Sequence, residues 1–252
     1  MTIILASGCN ESYYPQMRLY MESVHRQNTL AKQFIVGAGW QPPSELGFTG
    51  VHLPDDKMSG HGGTSFCVQH GGFLHAIPAH DDDIMIFTDG GDVIMQRDFS
   101  AEEVEHLINL KHRTVLVGPD IGLTLAQDAQ RLRNPKYVRL PLPDHIPYGF
   151  VFNTGVVVCT VKTYWALYHR YMERFPVMDM MFSHYARQQW LMSSILGDDP
   201  YFRVNILPFS FHTHGHAQLP YRCRFHEGLL YYGDEIVLFR HRVPEPAVAI
   251  SG

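Results

Sequence analysis

An α/β fold, a mostly parallel sheet flanked by helices in a single domain, is predicted by three features of this sequence. Short apolar runs alternate with helix-period segments along the chain. The 252 residues are 45% hydrophobic and 18% charged, enough to bury a sizeable core and to exclude disorder or a fibrous repeat. No stretch of Pro, Gly or Ser is long enough for an interdomain linker, and no internal repeat is present.

Ile3 to Ala6 reads as a buried first strand, followed by a polar turn. A helix-period stretch then runs from about Tyr13 to Gln27, with Met17, Tyr20, Met21 and Val24 on one face. Further strands are expected at Phe34–Val36, Val51–Leu53, Ile84–Thr88, Thr114–Val117 and Gly155–Val161. Helical patterns lie near Val68–Ala79, Ala101–Leu110, Thr124–Leu132, Lys162–Phe175 and Tyr185–Leu196. Ser100 is the expected N-cap of the second of these, with Glu103 at the capping-box position. Tyr164, Trp165, Tyr168 and Tyr171 recur at helical spacing, which suits core packing. From about Asp198 the chain changes character. Prolines punctuate short strands there, and histidines crowd beside Arg203, Arg222, Arg224, Arg240 and Arg242.

Charge and cysteine usage narrow the function. Lys plus Arg total 20 against 25 Asp plus Glu, a net charge of −5, so no global field holds a polyanion. The 4 cysteines lie far apart with no Cys-x-x-Cys pair, which reads as free thiols in a reducing compartment and places the protein in the cytoplasm. The N-terminus lacks the basic and apolar regions of a signal peptide, and no run reaches the eighteen or so apolar residues of a membrane span.

The most informative segment is Asp83-Ile-Met-Ile-Phe-Thr-Asp89-Gly-Gly-Asp92-Val-Ile-Met95. An apolar strand runs into Asp89, two glycines allow a tight turn, and Asp92 precedes a second apolar run. Open α/β sheets bind ligands at the carboxyl edge of their strands. Paired carboxylates there suit Mg²⁺ or Mn²⁺ shared with a phosphate; the plainer alternative is an acidic turn capping backbone N–H groups. Asp81-Asp82-Asp83 precedes the strand, at the opposite sheet edge, and reads as a solvated turn. The glycine-rich loop holding Lys57 and His61 lacks the Lys-Ser/Thr ending of a phosphate-binding loop and reads as a surface loop. No Gly-x-Gly-x-x-Gly follows the first strand, and no Gly-x-Ser-x-Gly elbow is present.

Phe87-Thr-Asp89-Gly-Gly-Asp92-Val resembles the Asp-x-x-Asp variant of the metal motif of GT-A-type glycosyltransferases, as in the glycosyltransferase domains of collagen lysyl hydroxylases. Other features follow in the order of that fold. Ile3–Ser7 with Tyr13 and Ser23 resembles its nucleotide-binding strand and helix. Asn153-Thr154-Gly155 resembles the Asn-Ser-Gly strand start near the donor sugar. Tyr185-Ala-Arg-Gln188-Gln189 resembles the helix that usually carries Asp-Gln, with Gln188 where the acid is expected. Ile236-Val-Leu-Phe-Arg-His241 resembles the late strand whose histidine completes the metal site.

The resemblance implies a GT-A-type, Rossmann-like mixed sheet flanked by helices in one domain: a nucleotide-binding half over about 1–95, a donor-sugar and acceptor half over about 96–242, and a tail at 243–252. It also implies transfer of a sugar from a nucleoside-diphosphate sugar, most plausibly a UDP-sugar, with Mn²⁺ or Mg²⁺ held by Asp89, Asp92 and His241. His214 is the rival third ligand. Ala6, Ser7, Tyr13, Asp89, Gly90, Asn153, Thr154 and Gly155 would contact the donor, and Gln188 and Gln189 would serve catalysis. A carboxylate base, if inversion requires one, stays open among Asp120, Asp144 and Asp179. The acceptor is a hydroxyl of a glycan or lipid-linked glycan, with a hydroxymethylated DNA base as the minority option. Two other readings stand beside this one. The missing acid at Gln188 suits a non-catalytic nucleotide-sugar or glycan binding module. His212, His214 and His216 have the His-x-His spacing of a zinc hydrolase, though a polar loop making acceptor or phosphate contacts is the plainer reading.

Overall fold

The structure, a computed structural model, describes residues 1–53, 72–124, 150–174, 195–197, 199–215 and 222–242. In chain order its strands are β1 (Ile3–Cys9), β2 (Lys32–Ala38), β3 (Phe48–Leu53), β4 (Ile84–Thr88), β5 (Val93–Met95), β6 (Thr114–Thr124), β7 (Phe150–Thr160), β8 (Arg203–Ile206), β9 (His212–His214), β10 (Cys223–His226), β11 (Leu229–Tyr232), β12 (Glu235–Ile236) and β13 (Phe239–His241). Seven of them make one sheet in the order β3-β2-β1-β4-β7-β6-β8. Pairing is parallel from β3 through β2 and β1 to β4, antiparallel on both sides of β7, and parallel between β6 and β8. The sheet is mixed, and strands of both halves read from the sequence share it.

Side chains alternate across this sheet as the pleat requires. Ile4, Ala6, Met85, Phe87 and Val157 face one cluster, which α3 (Val161–Arg174) covers with Tyr164 and Leu167. Leu5, Ile35, Ile84, Ile86, Val156 and Val158 face the other. Here α1 (Tyr14–His25) lays down Met17, Tyr20, Met21 and Val24, the stripe its 3.6-residue period predicts. A short 3₁₀ turn, Glu11–Tyr13, precedes α1, and the Asn10 side chain accepts a hydrogen bond from the Tyr13 N–H. Helix α2 (Ala101–Ile108) begins with the expected box: Ser100 Oγ accepts from the Glu103 N–H, and Glu103 accepts from the Ser100 N–H.

Several expectations are corrected. Strand β6 continues past Val117 to Thr124, so Thr124 closes a strand, while the rest of the Thr124–Leu132 helical pattern lies outside the described residues. Register shifts at Val117/Gly118 and beyond Pro119 absorb the proline that cut the apolar run short in the sequence. Within the segment Val68–Ala79, the described part holds only a 3₁₀ turn at Gly72–His75. Residues 195–197 are helical, while the rest of the Tyr185–Leu196 pattern lies outside the described residues. Asp83 is not solvated. It is buried and accepts hydrogen bonds from the Thr2 and His80 N–H groups, pinning the start of β1 to the start of β4.

Two small sheets complete the described chain. The order β5-β13-β9 brings the late strands onto the turn after β4, and β10-β11-β12 forms a meander beside it. Buried Gln96 joins them: its amide nitrogen donates to the Leu230 and Val237 carbonyls and its oxygen accepts from the Leu230 N–H. Among the described residues no helix is long and apolar enough to cross a membrane.

Candidate metal and donor site

Asp89 leaves the carboxyl end of β4, and its N–H donates to the Gly155 carbonyl on β7. The chain then reverses through Gly90, whose φ of +74° favours glycine. A Cβ at Gly90 would also collide with Met17 and Ser7, and one at Gly91 would lie 2.8 Å from the Tyr13 ring. The acidic turn is therefore seated against α1 and the 3₁₀ turn before it. Asp92 follows at the mouth of β5.

His241 comes from the other end of the chain. Strand β13 pairs antiparallel with β5, placing His241 opposite Val93. Its Nε2 lies 3.8 Å from Asp89 Oδ2 and 3.4 Å from Asp92 Oδ1. Asn153 Oδ1 accepts from the Gly155 N–H at 2.9 Å and faces His241 Nδ1 at 3.2 Å. Because that oxygen is an acceptor, Nδ1 carries a proton, and Nε2 is the nitrogen that faces the carboxylates. Arg242 binds the second oxygen of Asp92 through Nε, and its N–H donates to the Asp92 carbonyl. Burial alone would raise the Asp92 carboxyl, but His241 and Arg242 outweigh it and hold it well below the usual carboxylate range. Burial, reinforced by Asp92 and Asp89, pushes the Tyr13 phenol up to about 12.

One ligand atom from each of Asp89, Asp92 and His241 lies within 4.8 Å of the others, the one such group of metal-binding side chains among the described residues. Donor atoms each about 2.1 Å from a divalent ion sit roughly 3–4 Å apart, and the 3.8 and 3.4 Å separations from His241 Nε2 match. Two carboxylate oxygens and the buried imidazole nitrogen that faces them make a donor set that fits such an ion.

The remaining site residues read from the sequence divide as follows. Ala6 is fully buried on β1, and Ser7 Oγ donates to the Thr88 carbonyl, so both side chains serve the sheet. Thr154 lies on β7 between Asn153 and Gly155, and Asp120 lies on β6. Gln188, Gln189, His216, Lys57, His61, Asp144 and Asp179 lie outside the described residues.

His212 and His214 are not in a polar loop. They occupy strand β9, buried, with His214 in register with His241 and their ring centroids 4.6 Å apart. Gly118 on β6 leaves room for the His212 ring, as Gly155 on β7 does for His241. Sequence reasoning also missed Arg242 and the bracket that Asn153 makes to His241. The run Arg240-His241-Arg242 was the available signal for the first. Nothing local signalled the second.

No protein-family model matches the chain, and no curated protein matches it in sequence. Solved structures do match in shape, and the shape is that of the GT-A glycosyltransferases. Mouse xyloside xylosyltransferase 1 aligns over 98% of this chain and 100% of its own, with 14% identity and a TM-score of 0.55. The galactosyltransferase LgtC, in complex with donor and acceptor sugar analogues, aligns over 82% of this chain and 74% of its own, with 14% identity and a TM-score of 0.51. GlyE of Streptococcus pneumoniae aligns over 83% of this chain with 12% identity and a TM-score of 0.47, and the chain spans only 46% of its length. The narrower resemblance to collagen lysyl hydroxylase domains is not shown by these comparisons.

Proposed function

We propose that the chain is a metal-dependent glycosyltransferase that moves a sugar from a nucleoside-diphosphate sugar, in our reading a UDP-sugar, to a hydroxyl acceptor. The observation that carries this reading is the group Asp89, Asp92 and His241 at the carboxyl end of β4, in a fold that glycosyltransferases share. Asp89, Asp92 and His241 would hold Mn²⁺, with Mg²⁺ as the alternative. Such an ion, when bound, supplies Lewis-acid stabilisation of the charge that develops on the leaving diphosphate.

The chain's own residues prepare that chemistry. Arg242 occupies one oxygen of Asp92 and so leaves the other for the shared centre. Asn153 fixes the His241 tautomer, and the Gly90–Gly91 turn keeps the carboxylates against Tyr13, where a nucleotide would lie. Ala6 and Ser7 on β1 and Thr154 and Gly155 on β7 are the other proposed donor contacts, Ala6 and Ser7 through the backbone since their side chains serve the sheet. Gln188 and Gln189 are kept as the proposed catalytic residues. The nucleotide-binding and donor-acceptor halves remain divided near residue 95. A glycan or lipid-linked glycan is the favoured acceptor, ahead of a hydroxymethylated DNA base, and the free thiols support a cytoplasmic setting.

Donor hydrolysis tests the reading without an acceptor. The purified chain with Mn²⁺ should release free sugar slowly from one nucleotide sugar. Asp89→Asn should cut that rate by about 100-fold or more with an unchanged circular-dichroism spectrum. Full activity in Asp89→Asn would overturn the metal assignment. Nucleotide-sugar binding with no hydrolysis and no transfer would instead identify a binding module.

A further inference from the structure

His212 has no place in the site as described, yet its setting is unusual. It is 1% exposed, and neither ring nitrogen has a hydrogen-bond partner. Burying two unpaired polar atoms costs stability, and an apolar side chain of similar size would avoid that cost. The ring is nevertheless accommodated with care. Gly118 stands opposite it on β6, and any Cβ at that position would strike the imidazole. The ring also stacks on His241, with centroids 5.6 Å apart and planes 29° from parallel.

His241 is thus bordered on several sides. Asn153 faces Nδ1, the bare side of Gly155 admits the ring edge, the His214 ring lies tilted against it at 4.6 Å, and the His212 ring is the one that lies nearly parallel to it. We infer that His212 is a positioning residue for the metal centre, a flat stacking plate that fixes the plane of the His241 imidazole so that Nε2 points between Asp89 and Asp92. This rests on the metal-centre reading above. The inference explains why a destabilising side chain occupies a slot that strand β6 leaves open for it. It also assigns Gly118 a purpose that strand propensity does not supply.

The test uses Mn²⁺ alone as probe, on the full chain, with free Mn²⁺ read by electron paramagnetic resonance. His212→Leu keeps the volume and removes both unpaired nitrogens. The metal-free variant should melt at the same temperature as the parent or higher, while its Mn²⁺ affinity falls about tenfold. A residue that only packs would give the opposite pair of results: a lower melting temperature with unchanged Mn²⁺ affinity, which overturns the inference. His212→Asn, smaller and polar, is the second variant should Leu not fold; it should also lose about tenfold in affinity, and parental affinity there overturns the inference too. Failure of the underlying reading looks different, because the parent chain would then bind no Mn²⁺, or bind it equally well with Asp89→Asn.

Discussion

Glycine at positions 118 and 155 is chosen by what lies across the gap. Both sit in strands, where glycine is a poor choice, and both face an imidazole that a methyl group would displace. Gly155→Ala should therefore push the His241 ring out of line with Asp89 and Asp92. We expect Mn²⁺ affinity to fall by about tenfold or more, measured by titration, with the secondary structure intact. An unchanged affinity would mean that the ring tolerates the shift. At this scale the sequence was half legible. Asp89, Gly90 and Asp92 announce themselves because a strand, a turn and two carboxylates lie within a few residues. Asn153 and Gly155 lie together on β7 but His241 lies far along the chain on β13, and the hydrogen bond and close contact between them exist only once β7 and β13 meet.

Single elements respond in ways that local sequence predicts better. The capping box of α2 spans four consecutive residues, so Ser100 and Glu103 could be paired by spacing alone. The second role of Glu103 could not. Arg97 makes two hydrogen bonds to its carboxylate and a third to the Ile236 carbonyl, tying the helix start to β12. Burial opposes ionisation of Glu103, but Arg97 and the Ser100 N–H outweigh it and hold the carboxyl below its ordinary value of 4.5. A folded-state value below the unfolded one gives stability that is present above pH 4.5 and lost as pH falls through the folded value. Glu103→Gln keeps the box geometry and removes the charge, so urea denaturation from pH 6 down to about pH 3 should show a shallower acid limb than the parent. Ser100→Ala should instead lower stability by about 1 kcal/mol at neutral pH, through loss of the cap itself. The length of β6 was misjudged for an equally local reason: Pro119 ends an apolar run but sits at a bulge that the strand survives.

For the whole molecule, the alternation of strands and helices was enough to predict an α/β sheet but not the direction of β7, because apolar periodicity carries no polarity along the chain. The arrangement that matters is the closure of β5, β13 and β9 over the end of β4. Ligands that bind only the folded protein raise its stability by mass action, about 2.7 kcal/mol at 100 times the dissociation constant. Mn²⁺ with UDP should therefore raise the melting temperature of the parent and leave that of Asp89→Asn unmoved; equal shifts in both would place the binding elsewhere. The same closure sets an order on biosynthesis. Both carboxylates leave the ribosome long before His241, since β13 begins at Phe239. A nascent or prematurely terminated chain then carries the acidic turn without its imidazole or its Arg242 latch, so the centre is withheld until translation has passed β13.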